Sequence, residues 1–172
     1  MAKTDYAANC GSSGHVDWVH PANTANGESE QWWAANGEPL FQKLNGVSGS
    51  GALINSAHIT DGLSNTYLVG EKHLNPDCYD GVIAYSRYDA GDNEVAYAGW
   101  NRDFYRSSRY GTPRRDTPAL SAHTIFGSGH PLSINMAFAD GSLRSVPYDV
   151  DPDVHRRLAS RNDREIASPD DL

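Results

Sequence analysis

GSGHPLSINMAFADGSLRSV, Gly127 to Val146, is the stretch whose reading decides the fold. Ile134, Met136 and Phe138 alternate with Asn135, Ala137 and Ala139, a period of two that turns one apolar face inward. Asp140-Gly141 supplies a two-residue hairpin signal, because a type I′ turn needs positive φ at both central positions. Ser142 to Val146 returns, with Leu143 and Val146 predicted to face the core. His130 stands at the entrance of this hairpin and Asp140 at its tip. Fully extended, the intervening chain separates them by about 30 Å. Two separate roles therefore follow more readily than one shared site: a hydrogen-bonding histidine at the entrance and an aspartate shaping the turn.

Working outward, Thr66 to Lys72 (TYLVGEK) is rich in β-branched and aromatic residues and reads as a central strand. Ahead of it, Thr60 to Thr66 reads as a capped helical turn with Thr60 or Asp61 as N-cap. Leu53 to Ile59 alternates as a strand; Val82 to Tyr85 and Val95 to Trp100 are further short strands. Tyr6 to Cys10 is an edge strand and Glu28 to Asn36 a short helix bracketed by Gly27 and Gly37. Asn101 to Ser121 carries five arginines and little periodicity, the signature of a mobile loop. After the hairpin, a helix starts at Asp151 or Pro152, with Val154, His155 and Leu158 at helical spacing and Asp153 in its first turn. Arg164 to Ala167 adds an edge strand. The fold class is α+β, mainly antiparallel sheet with short helices and long loops, in a single domain over residues 1–172.

Composition narrows the function. Twenty-two acidic against 14 basic residues leave a net charge of -8, a field that repels nucleic acid and anionic lipid. The hydrophobic fraction of 38% and mean hydropathy of -0.60 fit a loop-rich chain. Cys10 and Cys78 form no CxxC pair, so a cysteine-based zinc site is excluded. They read either as two separate thiols or as one disulfide in an exported protein. Closing so long a loop would stabilise by about 4 kcal/mol in the chain-entropy model. The first residues contain no apolar signal segment, so the chain reads as cytoplasmic or as a processed piece of something longer.

Several side-chain groups carry chemistry. Asp61, Ser64, Asn65, Thr66 and Glu71 read as caps plus a strand carboxylate, or as a polar pocket in which Glu71 meets His130 or Asp140. Asp89, Asp92, Asn93 and Glu94 in DAGDNE, and Asp77 and Asp80 in NPDCYD, offer oxygen ligands for calcium, without the spacing of an EF-hand. His15, Asp17 and His20 do not share one strand face, which argues against a zinc triad. Trp32 and Trp33 in a polar context are the candidates for stacking against a sugar. Phe126 to His130 is not GxSxG, and Ser128 and His130 have no evident acid to orient them, so nucleophilic catalysis has little support.

Four stretches of the chain resemble one bacterial family, the domain of unknown function 1559. ITDGLSNTYLVGEK (Ile59 to Lys72) is similar to its TDG-S-NT…VGE block, with Asp61, Gly62, Ser64, Asn65, Thr66 and Glu71 at the matching positions. FGSGHPLSINMAFADGSLRSV resembles its closing signature of a histidine, nine residues and Asp-Gly, here His130, Asp140 and Gly141. The tail from Leu158 and the opening TDYAANCG resemble its terminal and mid-chain segments. The resemblance implies a pseudopilin-like head, exported and non-enzymatic, belonging to a type IV pilus or type II secretion-like system at the cell surface. It implies partners in homotypic filament or secretion-system subunits. Membrane contact would come only through an N-terminal apolar helix that this chain lacks. By analogy with pseudopilins it also raises calcium in the acidic loops; no other cofactor is implied. The family has also been labelled solute-binding-like, so the alternatives are an extracellular carbohydrate- or solute-binding module and a metal-dependent hydrolase using His130, Glu71 and Asp140.

Overall fold

The computed structural model describes residues 3–13, 21–50, 52–80, 89–95, 97, 99–165 and 167–172. In chain order these form β1 (Tyr6–Asn9), α1 (Thr24–Gly27), α2 (Glu30–Lys43), β2 (Tyr67–Glu71), β3 (Tyr105–Arg106), β4 (Arg114–Arg115), β5 (Gly127–Ser128), β6 (Ser133–Phe138), β7 (Leu143–Pro147) and α3 (Pro152–Ala159). Five strands make one sheet in the order β3-β1-β2-β6-β7. All its neighbours are antiparallel except β1 and β3, which are parallel. β4 and β5 form a separate parallel pair. The class is α+β, as the alternation in the sequence predicts.

Period two decides which face is buried. Ile134, Met136 and Phe138 of β6 point to one side with Val146 of β7 and Tyr67 of β2, and all five are fully buried. Phe126, Val150, Leu158, Ala159 and Ala167 complete this core. Each large apolar side chain here contributes on the order of 1.5–3 kcal/mol by leaving water. The lid over it is α3. Asp151 caps that helix by accepting from the Asp153 and Val154 amides, and Pro152 supplies the preset φ of its first turn. His155, Leu158 and Ala159 are its buried residues, the first two at the spacing read from the sequence.

The hairpin turn differs from the expected type I′. Gly141 N–H donates to Phe138 C=O and Phe138 N–H to Ser142 C=O. Gly141 has φ +86, but Asp140 is not among the positive-φ residues. This is a three-residue loop closed by a glycine bulge, which demands positive φ at the glycine alone. The bulge turns Leu143 outward, so Val146 faces the core and Leu143 does not.

Other expectations are corrected. β1 is interior, between β2 and the two-residue β3, because Tyr105 and Arg106 pair alongside Ala8 and Asn9. The helix read at Glu28 to Asn36 starts at Glu30 and continues through Gly37 to Lys43. Leu53 to Ile59 forms no strand. The Asn55 side chain caps a 3-10 turn at Ser56–His58, a local hydrogen bond that competes with a ladder. The turn at Leu63–Asn65 follows Gly62 and has no side-chain cap, so neither Thr60 nor Asp61 plays that part. Among the described residues of 95–100 there is no strand, and Trp100 stacks on Tyr105 instead. The arginine-rich loop contains β3 and β4, and its Arg106 is fully buried. Among the described residues of 164–167 there is no strand, and the tail bends through Arg164, at φ +64. Cys10 and Cys78 are thiols, not a disulfide: Cys10 is buried at the end of β1, Cys78 half-buried on the Pro76–Cys78 turn. The expected strand at Val82 to Tyr85 and the His15, Asp17, His20 group lie outside the described residues.

Candidate functional site

The motif residues separate into two groups at opposite ends of the sheet. At one end they tie chain segments together. Asp61 accepts from the amides of Asp163 (2.9 Å) and Arg164 (3.1 Å), and burial raises its pKa against those bonds. Asn65 Nδ2 donates to Asp61 C=O, and Thr66 Oγ1 to Gly62 C=O. Ser64 is exposed beside them. Asp140 belongs to this end: its amide donates to Leu63 C=O and its carboxylate accepts from the Ser142 amide and hydroxyl. Those two donors hold the Asp140 carboxyl below the usual range. Asn9, fully buried, donates to Tyr67 C=O (2.9 Å) and Ala159 C=O (2.8 Å) and accepts from Gly11 N–H (2.9 Å). Chemically this end is backbone satisfaction.

At the other end, Glu71 and His130 meet. His130 Nε2 lies 3.2 Å from Glu71 Oε1, and the Asn135 amide donates to Glu71 Oε2 at 2.6 Å. Glu71 therefore pairs with His130 and not with Asp140. Ser128 Oγ accepts from the His130 backbone amide (3.0 Å), so it is tied to that amide rather than to the imidazole. The Tyr148 hydroxyl donates to the carbonyls of Ser128 and His130, fixing the loop that carries the histidine.

This pair opens on a cleft of about 550 Å³, lined by Lys3, Asp5, Glu71, Lys72, Leu74, Tyr79, Asp92, Asp116 and Gly127 to His130. Its volume is in the range of small-molecule sites. Strand alternation buries Lys72 beside Glu71. Its ammonium donates to Gly91 C=O (3.0 Å), Asp92 Oδ1 (2.9 Å) and Asp103 C=O (3.3 Å). Burial lowers the Lys72 pKa, with Asp92 opposing. Lys3 holds the other Asp92 oxygen at 3.0 Å. Also lining the cleft, Asp116 accepts from the Leu74 amide and, through a short bond, from the Tyr79 hydroxyl. Burial and that carboxylate push the Tyr79 phenol up. Behind the wall, His73 packs against Gly127, and neither ring nitrogen has a hydrogen-bond partner among the described residues. Burial keeps it neutral by lowering its pKa.

Of this constellation the sequence marks Glu71 and His130 as a candidate pair, and Asp92 only as an oxygen donor of an acidic loop. Lys3, Asp5, Tyr79 and Asp116 come from four segments with no shared local pattern. Lys72 adjoins Glu71 in the VGEK block, and that adjacency is its single signal.

The acidic loops are engaged internally. Asp89 accepts from the amides of Gly91 and Asn75, Asp92 from the two lysines, and Asn93 donates to Glu94. Asp77 accepts from the Ala119 amide, and Asp80 is exposed. Among the described residues no three His, Cys, Asp or Glu side chains gather as a metal-ligand set. Trp32 and Trp33 pack edge to face with centroids 4.8 Å apart, and the Trp33 indole donates to Gly27 C=O. Both are half-buried and offer no shared flat platform.

The face of the sheet opposite α3 is a different surface. The register aligns Ala8, Val69, Ala137 and Leu143 in one row across β1, β2, β6 and β7. Tyr6 (53% exposed), Leu68 (38%) and Leu143 (78%) are its exposed apolar residues, with half-buried Ala8, Val69 and Ala137 between them, an apolar stripe flanked by Glu71, Asn135 and Ser145. Tyr6 pairs in register with Glu71, so the stripe runs up to the rim of the cleft.

A family model described as a protein of unknown function (DUF1559), short label SBP_bac_10, matches residues 4–153. No curated protein and no solved structure matches the chain.

Proposed function

Since the chain belongs to the DUF1559 family, we propose that it is the exported, non-enzymatic head of a pseudopilin-like cell-surface protein, working in a type IV pilus or type II secretion-like assembly. The observation that carries this reading is the apolar stripe on the outer sheet face. A sheet normally buries both faces unless one is polar. Here α3 covers one face, while the other presents Tyr6, Leu68 and Leu143 to solvent. An apolar helix, of the kind the family resemblance implies, would complete the second layer and anchor the head among homotypic or secretion-system partners. The test is a double substitution, Leu68→Glu with Leu143→Glu, in the protein produced in its host. The variant should vanish from the sheared cell-surface fraction while its total amount stays unchanged. Equal recovery of variant and native protein there, or absence of the native protein from that fraction, would refute the assembly role.

A second reading, extracellular solute binding, is favoured by a separate observation. The cleft beside Glu71 and His130 has the volume of a ligand site, and the family model's short label is a solute-binding one.

A further inference from the structure

The cleft's walls are chemically lopsided. An ammonium has three protons to give, and Lys72 directs all of its own into the protein, to Gly91, Asp92 and Asp103. Lys3 is turned toward Asp92 as well, giving to its carbonyl and its carboxylate. The two amines and Asp92 thus satisfy one another. What still faces the cleft is acceptor capacity. Asp116 receives two hydrogen bonds, from Leu74 and Tyr79, and a carboxylate offers about four lone-pair positions. Glu71 receives three, from the His130 ring and from the amide and side chain of Asn135, which leaves it about one open lone-pair position, and Asp5 adds an exposed carboxylate.

Four carboxylates and two ammonium groups line the space, so it carries net negative charge. An anion would meet carboxylates and amines already committed elsewhere. A single metal ion would need three converging ligands, which the described residues do not provide. The acceptors come from separate segments, β2 and the loop after β4, an arrangement that suits an extended donor instead. Leu74 and the half-exposed Tyr79 ring supply an apolar side, against which methylenes or a cationic head can lie.

We propose that this cleft binds a small organic cation with N–H donors, an alkylammonium or guanidinium group spanning Glu71 and Asp116. The proposal rests on the solute-binding reading and gives that reading its ligand class. The cleft also contains its own control. A Cβ built on Gly129 meets only ordinary contacts, the Tyr79 hydroxyl at 3.6 Å and Asp116 at 3.9 Å, and Gly129 lacks the positive φ that would strain a side chain. In Gly129→Val the Cβ therefore sits at ordinary contact distance, and the two methyls beyond it take up the space beside Tyr79 and Asp116.

Agmatine, which has an ammonium at one end and a guanidinium at the other, is the probe. Titrated into the purified protein, it should shift the His130 ring resonances along a saturable curve, and 1,5-pentanediol should not. Asp116→Asn should weaken binding on the order of tenfold, the loss expected for one charge-assisted hydrogen bond. Gly129→Val should abolish binding with an unchanged circular dichroism spectrum and melting temperature, so the conclusion does not depend on the fold of the Asp116 variant. Binding of pentanediol or glucose that Gly129→Val blocks, with none of agmatine, would overturn the cation assignment and leave solute binding standing. Silence of all three probes would remove both. Agmatine binding that survives Gly129→Val would place the cation elsewhere and overturn the site.

Discussion

At the scale of single residues, His155 and Asn9 show how polar groups are made to live in this core. His155 sits between Tyr67 and Phe126, its Nδ1 3.3 Å from the Tyr67 hydroxyl, and burial alone pushes its pKa down to about 4. The folded pKa lies below the unfolded value near 6.5. The unfolded chain therefore takes up a proton first as pH falls. Stability from this residue is full above about pH 6.5 and declines toward pH 4, by about 2 kcal/mol at pH 5. His73, also held neutral by burial, adds to the decline with the same sign. Urea unfolding at pH 7 and pH 5 should show the loss, and His155→Phe should reduce it by at least half. An unchanged difference between the two pH values in that variant would place the acid sensitivity elsewhere. Asn9 makes three buried hydrogen bonds to backbone groups of β2, α3 and its own turn. Asn9→Ala strands two carbonyls and one amide away from water, a cost of about 3 kcal/mol or more. A chemical-denaturation midpoint lowered by less than a third of that would mean water enters to replace it. TDYAANCG identifies Asn9 as part of a family block, yet gives no hint of its partners, because they lie 58 and 150 residues away.

At the scale of elements, what was legible depended on whether the local pattern and the tertiary environment agreed. β6 has three buried and three outward residues in strict alternation, and α3 has its cap, its proline and its apolar spacing. Both are therefore readable from the chain alone. Leu53 to Ile59 alternates as well, but Asn55 diverts the backbone into a capped turn and Leu53 ends 88% exposed. Alternation there had no core to face. β3 and β4 are two residues each and exist only because partner strands lie alongside, so no periodicity could announce them. The cleft was half legible for the same reason: Glu71 is held in a readable strand, whereas Asp116 and Tyr79 are brought in by loops. The β6–β7 turn gives an element-scale prediction. A Cβ at Gly141 would touch nothing within 4 Å, so its φ of +86 is the whole obstacle to substitution. Gly141→Asn should cost well under 1 kcal/mol, Gly141→Ala about 1, and Gly141→Val more, following how readily each tolerates left-handed backbone. Thermal melts would check that order. Equal costs for Asn and Val would mean the turn relaxes to a different type.

At the scale of the whole molecule, the fold is closed by its last segment. The family match ends at residue 153, inside α3, but the chain beyond it is no appendage. Leu158, Ala159 and Ala167 belong to the same core as β2 and β6. Arg161, 2% exposed, donates to Gly46 C=O at 2.7 Å, and its own amide donates to Asn45 C=O. Asn45 in turn reaches Ser160 and the amides of Ser12 and Ser13. Asp61 depends on the amides of Asp163 and Arg164 for its buried carboxylate. The tail thus binds the first strand through the Ala159 carbonyl, which accepts from Asn9, and the middle loops and the TDG block through its own donors. A chain cut after Asp153 would lose the α3 side of the core and leave Asp61, Asn9 and the carbonyls of Leu44 and Gly46 without these partners. Each unsatisfied buried group costs about 1–3 kcal/mol, and these together with the lost burial of Leu158, Ala159 and Ala167 are comparable to the roughly 5–15 kcal/mol that holds a domain folded. The truncated chain should show collapsed amide dispersion in its proton–nitrogen spectrum and no cooperative melt. A chain cut after Ala167 keeps Arg161, Asp163, Arg164 and all the buried core residues, losing only the Pro169–Asp171 turn and Leu172. It should therefore fold, with a reduced melting temperature. Cooperative unfolding of the shorter chain at the native temperature would show that the motif blocks, and not the tail, close the molecule.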